Sequence, residues 1–178
     1  MSSAKMAPGP FSLADLNTGD RDGFVRAVGW VFEHSPWVAE RAWRQKPFAT
    51  IDELHAAMAA EVVAASAEEQ LALLREHPDL GTRARMSRAS TGEQAGAGRD
   101  SLDAAEFERL NQLNTAYRER FGFPFLYAVK GSTQHDILKA LETRLTSSRE
   151  EELGEALRQV FRIARFRLDD IFSGRVRL

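Results

Sequence analysis

The 178-residue chain contains no cysteine. This excludes a disulfide scaffold, a thiolate nucleophile and a cysteine-ligated zinc site. The chain also lacks an apolar run long enough to span a bilayer. Its first residues, MSSAKMAPGPF, contain no apolar segment of the kind that a secretory signal has. We therefore expect a cytoplasmic protein that does not contact a membrane, with residues 1–10 as a flexible lead-in.

An excess of one charge is also missing, because 24 basic and 26 acidic residues are spread along the chain and give a formal net charge of −2. This balance offers no electrostatic support for nucleic-acid binding, so we expect no nucleic-acid partner. Histidine is scarce, and the four histidines are His34, His55, His77 and His135. They are far apart without ligand-like spacing, so we expect no metal site.

Helix signals recur along the chain, whereas the alternation typical of strands is nearly absent. A Ser, Thr or Asp followed three residues later by Glu is the capping-box pattern that marks a helix start. We take five such pairs as helix starts, namely Thr50 with Glu53, Ser66 with Glu69, Ser90 with Glu93, Asp103 with Glu106, and Ser147 with Glu150. We also expect Ser35 to cap a helix that has Pro36 at its first position, and Thr133 or Ser132 to begin another.

One stretch is β-like, the run from Phe123 to Val129, but Pro124 and the isolation of the run favour an extended connector. Gly122 should end the helix before this connector. The last helix should be the longest and reach about Phe172. The sequence thus predicts an all-α fold, a single compact domain of about eight helices over residues 11–178.

His77 is the first candidate for chemistry. It follows Leu73 by four residues and Leu74 by three, so it would lie on the apolar side of the last helical turn. Pro78 disfavours helical geometry at His77, so the helix should stop there. The imidazole would then point inward at a rigid bend. The alternative is a half-buried histidine that only caps the last carbonyl groups of the helix.

Arg167 is the second candidate, because it lies on or beside the apolar stripe of the last helix. It is three residues after Ala164, seven after Val160 and four before Ile171. An arginine directed at a core cannot lose its charge, so it needs a carboxylate partner or an anionic ligand. The alternatives are a structural ion pair with a residue such as Glu93, or a side chain that extends to water.

Ser90 and Glu93 remain open to two interpretations. As a capping box they need no function, and that is the commoner meaning of the pattern. The stretch from Thr91 to Gly98 nevertheless combines free helix-start amides with a carboxylate and the amide side chain of Gln94, and such an end binds anions or carbonyl groups. An inward histidine, an inward arginine and this carboxylate together are compatible with a site for a small anionic substrate.

Several motifs resemble one enzyme family. They are F-E-H-S-P-W at 32–37, H-P-D-L-G at 77–81, Ser-x-x-Glu-Gln at 90–94 followed by Ala97-Gly98, F-G-F-P-F at 121–125 and I-A-x-x-R-L at 163–168. In this order, from about Leu13 to Leu168, they are similar to the OHCU decarboxylases. These enzymes convert 2-oxo-4-hydroxy-4-carboxy-5-ureidoimidazoline (OHCU) to (S)-allantoin in urate degradation.

The resemblance implies a role for each matching residue and an all-helical, cofactor-free enzyme that is commonly a homodimer. His77 and Glu93 would be the catalytic pair, and Arg167 would bind the substrate. Ser90 and Gln94 would hydrogen-bond the ureidoimidazoline, Pro78 and Phe125 would shape the pocket, and the backbone around Tyr127 would face the substrate. The chain departs from the family pattern at Arg99, where Leu is usual, and in a shorter loop from Gly81 to Ala89.

Two rival functions remain at this point. The chain could be a non-catalytic helical module that keeps the fold, or a decarboxylase or lyase acting on a related ureido acid. Geometry distinguishes an enzyme from the non-catalytic module, because catalysis requires His77, Glu93 and Arg167 to converge on one pocket. The second rival would use the same pocket, so only a panel of substrates would distinguish it.

Overall fold

The structure, a computed structural model, describes residues 11–80 and 102–175. These two stretches contain eight α-helices, one short 3-10 helix and no strand. The helices are α1 (Leu13–Thr18), α2 (Arg21–Val28), α3 (Trp37–Ala42), the 3-10 helix (Trp43–Gln45), α4 (Ile51–Val63), α5 (Ala67–Glu76), α6 (Ala104–Phe121), α7 (Gln134–Arg144) and α8 (Arg149–Phe172). The predicted all-α class is therefore confirmed. The proposed lead-in, residues 1–10, lies outside the described residues.

The chain divides into two compact units, and the first comprises residues 1–70 and 161–178. In this unit α3 packs against both α2 and α4. The imidazole of His55 on α4 lies 2.7 Å from the carbonyl oxygen of Phe161 on α8. The rings of Phe32 and Phe161 meet edge to face, with centroids 6.4 Å apart. These contacts join the end of the chain to its first helices.

The second unit comprises residues 71–160. Here α6 packs against α7, and the core is a cluster of aromatic rings centred on Tyr117. Its ring centroid lies 4.6 Å from that of Phe121 and 5.2 Å from that of Phe125. Phe123 and Phe125 come from the segment after α6, which forms neither helix nor strand, so the prediction of a connector instead of a strand is confirmed. No helix among residues 11–80 and 102–175 combines the length and apolarity needed to cross a membrane.

Most predicted helix ends are confirmed. The side chains of Thr50 and Asp103 accept hydrogen bonds from the backbone N–H groups three residues later, at the starts of α4 and α6. Ser66 does the same for α5, and Glu69 accepts from the Ser66 N–H in return, 3.0 Å away. Gly122 ends α6 in the left-handed conformation, with φ at +78°. Such side-chain caps satisfy amides that have no partner inside a helix.

Two predicted helix starts are wrong. The last helix is capped by Ser148, whose hydroxyl accepts from the Glu151 N–H at 3.1 Å, instead of by Ser147 with Glu150. Ser147 and Ser148 each have a glutamate three residues later, so either serine could cap the helix. In the structure Ser148 is the cap. Ser35 does not cap α3. Its hydroxyl instead donates to the carbonyl oxygen of Glu33 at 2.8 Å, and Pro36 precedes the helix without a side-chain cap.

Candidate active site

His77 lies directly after α5 and is buried, with 5% of its surface exposed. Its Nδ1 atom is 2.9 Å from the carbonyl oxygen of Leu73, in the last turn of that helix. Because a carbonyl oxygen only accepts, Nδ1 carries a proton and donates it. The inward position predicted for His77 is confirmed, and the capping contact that was the alternative is present as well. In the neutral imidazole Nε2 is then the basic nitrogen.

The backbone after His77 is attached to α6 through Asp79. Its side chain is 13% exposed and lies 3.1 Å from Nη1 of Arg118. The side-chain amide of Asn114, also on α6, donates a hydrogen bond to the same carboxylate. Pro78, which lies between His77 and Asp79 in the sequence, is exposed. A proline with its fixed φ, followed by an aspartate held by two donors, keeps this bend in one conformation and so orients His77.

The connector after α6 carries the next two candidates. Phe125 is fully buried, and its ring stacks on that of Tyr127 with centroids 6.2 Å apart. The Tyr127 hydroxyl lies 3.2 Å from the hydroxyl of Ser132. The ring of Phe125 is covered by the Arg144 guanidinium, whose Cζ is 4.5 Å from the ring centroid. Packing of this kind fixes the backbone at Tyr127, the feature to which the resemblance gives a role.

Arg144 itself was not singled out from the sequence. Its Nε donates to Glu152 at 2.6 Å and its Nη1 donates to the carbonyl oxygen of Leu126, also at 2.6 Å. The hydroxyl of Tyr117 donates to the same Glu152 carboxylate. Burial, with this carboxylate as acceptor, raises the pKa of Tyr117 far above its usual value. Tyr127 and Arg144 also line a cavity of about 560 Å³, and His77 is not among its lining residues.

Arg167 on α8 is largely buried, as its position on the apolar stripe predicts. Its side chain is 19% exposed, and its Nη2 lies 2.8 Å from Oε2 of Glu33. Its Nη1 donates to the carbonyl oxygens of Val31 at 3.0 Å and Trp30 at 3.4 Å. The carboxylate partner seen in the described residues is thus Glu33, from the F-E-H-S-P-W motif, whereas the partner suggested from the sequence was Glu93.

The guanidinium of Arg167 borders a cavity of about 460 Å³ in the first unit. Its other described walls are Val25, Arg26, Gly29, Trp30, Glu33, His34 and Pro36. The Arg167 Cζ lies 5.9 Å from the ring centroid of Trp30, within the range of a cation–π contact. The cavity wall therefore combines an aromatic face with two guanidinium groups and one carboxylate, a set that suits a small planar anion.

The structure thus places the predicted site residues in three groups. His77, Phe125 and Tyr127 belong to the second unit, and Arg167 belongs to the first. Ser90, Glu93 and Gln94 lie outside the described residues, as do Arg99 and the loop from Gly81 to Ala89. The convergence of His77, Glu93 and Arg167 on one pocket stays a prediction.

An all-helical chain with an oriented, buried imidazole and a guanidinium beside a small cavity has the features of a small-molecule enzyme. Comparison with known families gives the class. A sequence model of the family described as OHCU decarboxylase matches residues 17–169. The chain belongs to this family.

Individual relatives agree with this assignment. The 2-oxo-4-hydroxy-4-carboxy-5-ureidoimidazoline decarboxylase of Haloferax volcanii is 49% identical over 162 residues, which cover 91% of this chain and 96% of that protein. The uric acid degradation bifunctional protein PucL of Bacillus subtilis is 47% identical over 163 residues, 92% of this chain and 33% of that one. A crystal structure of (S)-allantoin synthase superposes with a TM-score of 0.76 at 36% identity, covering 90% of this chain. This chain spans 54% of the length of that one.

Proposed function

We propose that this protein decarboxylates OHCU to (S)-allantoin, in the degradation of urate. The observation that carries the proposal is the placement of His77 in a chain that matches the family over residues 17–169. The imidazole is buried at a helix end, and its Nδ1 is held by the Leu73 carbonyl oxygen. The same contact caps α5, and it also fixes the tautomer in which Nε2 is the basic nitrogen.

The substrate itself contains the group that accepts the electron pair released by decarboxylation. The bond between the ring carbon and its carboxylate breaks, CO₂ leaves, and the electron pair moves into the adjacent ring C=N. That group serves as the electron sink for which other decarboxylases use a cofactor, so the proposed enzyme is cofactor-free. The carbon that lost CO₂ becomes the ring carbonyl as its hydroxyl proton passes to the ring nitrogen. The adjacent carbon, which bears the ureido group, takes up a proton on one face, and this gives the S product. Donors that meet the developing negative charge lower the barrier.

His77 would manage the protons of this reaction. With Nδ1 donating to Leu73, the neutral ring presents Nε2 as a base toward the substrate hydroxyl. We propose that Glu93 pairs with His77 through the Nε2–H of the imidazolium that forms when the imidazole takes up the hydroxyl proton, and that Ser90 and Gln94 hydrogen-bond the ureidoimidazoline. Arg167 would bind the negative charge of the substrate.

The remaining features follow the family. We propose that Pro78 and Phe125 shape the pocket and that the backbone around Tyr127 faces the substrate. We further propose a cytoplasmic homodimer whose partner in the reaction is OHCU alone, with residues 11–178 acting as a single domain.

A coupled assay that generates OHCU from urate tests the proposal. With the protein present, circular dichroism should show (S)-allantoin forming faster than by spontaneous decay and without the R enantiomer. His77→Ala should lower the rate about a hundredfold or more, because it removes a general acid–base group. The variant should keep its far-ultraviolet circular dichroism spectrum.

His135→Ala is the matched control. His135 is on α7 and is exposed, and its Nε2 lies 3.3 Å from the carboxylate of Glu106, so its loss should leave the rate unchanged. Allantoin formation at the wild-type rate by His77→Ala would show that His77 is not catalytic. Failure of the wild-type protein to accelerate the reaction would contradict the proposed function. Turnover of a different ureido acid instead of OHCU would support the rival function, a decarboxylase or lyase for a related ureido acid.

A further inference from the structure

We infer that Glu33 is a positioning residue for the proposed reaction: it holds the Arg167 guanidinium in the orientation in which that group binds the anionic substrate. The inference rests on the proposed function and adds a residue to it. Glu33 acts through Arg167, and the contacts between the two side chains carry the argument.

The contacts fix the guanidinium in its plane. Oε2 of Glu33 lies 2.8 Å from Nη2, while Nη1 donates to the carbonyl oxygens of Val31 and Trp30. Three acceptors on two nitrogens define both the position and the rotation of the group. A guanidinium has five N–H bonds, and Nε makes no hydrogen bond within the described residues. Donors therefore remain for an anion at the cavity beside Arg167.

Burial gives the ion pair its importance. The side chains of Arg167 and Glu33 are only 19% and 21% exposed, so the pair is less screened by water than a surface pair would be. An arginine side chain has several rotatable bonds, and ordering it costs conformational entropy. The ion pair with Glu33 orders the Arg167 side chain before substrate arrives. Substrate binding then does not bear this loss of entropy, and a preorganised site gains affinity in this way.

The backbone around Glu33 is itself held firmly. Phe32 on one side is 1% exposed, and Ser35 on the other is 3% exposed and donates its hydroxyl proton to the Glu33 carbonyl oxygen at 2.8 Å. His34, between Glu33 and Ser35, has φ of +43°, in the left-handed region that residues with a side chain rarely adopt. Such a conformation persists only where its surroundings enforce it, so Glu33 is presented from a rigid turn.

The charges of the cavity leave room for an anion even with Glu33 present. Its described walls include two guanidinium groups, those of Arg26 and Arg167, against the single carboxylate of Glu33. If Glu33 instead competed with substrate for Arg167, removing its charge would strengthen substrate binding. Positioning and competition therefore predict opposite changes in the Michaelis constant.

Steady-state kinetics of Glu33→Gln decide between these roles. The glutamine keeps the shape of the side chain and loses its charge. We expect the KM for OHCU to rise about tenfold, the effect of one charge-assisted contact, with kcat nearly unchanged. Arg167→Ala should raise KM as well. The double variant should raise it no further than Arg167→Ala alone, because Glu33 acts only through Arg167.

Glu40→Gln is the control. Glu40 also pairs with an arginine, Arg21 at 3.5 Å, but both side chains are about half exposed, at 41% and 54%, so its KM should equal that of the wild type. A lowered KM in Glu33→Gln would show competition, and an unchanged one would show that Glu33 has no role. Additive effects in the double variant would show that Glu33 does not act through Arg167. Each of these results overturns the inference.

A second measurement does not depend on catalysis. In ¹⁵N–¹H spectra of the arginine side chains, the Arg167 Nε–H signal is the one lost in Arg167→Lys. It should be sharp in the wild-type protein and in Glu40→Gln, and broadened or shifted in Glu33→Gln. An unchanged signal in Glu33→Gln would overturn the inference. If the wild-type protein formed no (S)-allantoin, the proposed function would be wrong, and this signal would still decide whether Glu33 holds Arg167.

Discussion

Arg144 and Glu152 form an ion pair that is almost completely withdrawn from water. Their side chains are 10% and 1% exposed, and the guanidinium also donates to the Leu126 carbonyl oxygen and covers the ring of Phe125. Tyr117 supplies a further hydrogen bond to the carboxylate. In the second unit, α6, α7 and the first part of α8 are thereby joined to the connector that carries Tyr127.

Arg144→Ala should destabilise the protein by about 3–5 kcal/mol. The substitution leaves the Glu152 carboxylate buried without its cation, and the cost of an uncompensated buried charge is of that size. Urea denaturation followed by circular dichroism measures the change. Arg109→Ala is the control. It removes the partner of Glu142 from an ion pair whose side chains are 58% and 39% exposed. This control should lose less than about 1 kcal/mol. A similarly small loss in Arg144→Ala would contradict the importance given to the buried pair.

The sequence predicts which side chains turn inward better than it predicts their partners. Arg167 was found from its place on an apolar stripe, and its burial is confirmed. Arg144 carries the same signal, because it follows Leu141 by three residues and Leu138 by six, and it is buried as well. Their partners Glu33 and Glu152 are set by tertiary packing, which brings together residues far apart in the sequence. No periodicity contains that information.

At the scale of elements, helix starts were predicted well because a cap is a local contact. The side chains of Thr50, Ser66 and Asp103 each bond an amide three residues away, so sequence and structure agree. Errors arose where the local pattern fits two frames, as at Ser147 and Ser148, since helix ends shift easily by one residue. The site was harder to predict, because it depends on how separate helices are brought together.

Two glycines of the second unit should respond in opposite directions to the same substitution. Gly122 ends α6 with φ at +78°, where a side chain is strained, although a Cβ there would meet only Arg75 at 3.8 Å. Gly122→Ala should therefore destabilise the protein by roughly 1 kcal/mol, from the backbone alone. Gly154 lies inside α8 with nothing within 4 Å of an added Cβ. Gly154→Ala should stabilise the protein by about 0.5–1 kcal/mol.

Thermal and urea denaturation of both variants measure these changes, and Gly122→Asn provides a further comparison. Asparagine tolerates the left-handed conformation better than alanine, so this variant should be less destabilised than Gly122→Ala. Equal losses in the two Gly122 variants would mean that a contact, and not the backbone conformation, explains the cost.

At the scale of the whole molecule, the chain itself links the two units. Residues 67–70 of α5 belong to the first unit and residues 71–76 to the second, and α8 divides in the same way between residues 160 and 161. Breaking either helix at the boundary would cost backbone hydrogen bonds in its middle. We therefore expect the units to unfold together, as the single domain predicted from the sequence.

The aromatic residues allow each unit to be followed separately. All three tryptophans, Trp30, Trp37 and Trp43, lie in the first unit, so tryptophan fluorescence reports on that unit alone, whereas far-ultraviolet circular dichroism reports on helices of both. In urea the two signals should give coincident transitions, the usual test of two-state unfolding. Arg144→Ala, a change in the second unit, should lower both midpoints equally. A fluorescence midpoint that stays at its wild-type value while the dichroism midpoint falls would show that the units unfold independently and that the chain is two domains.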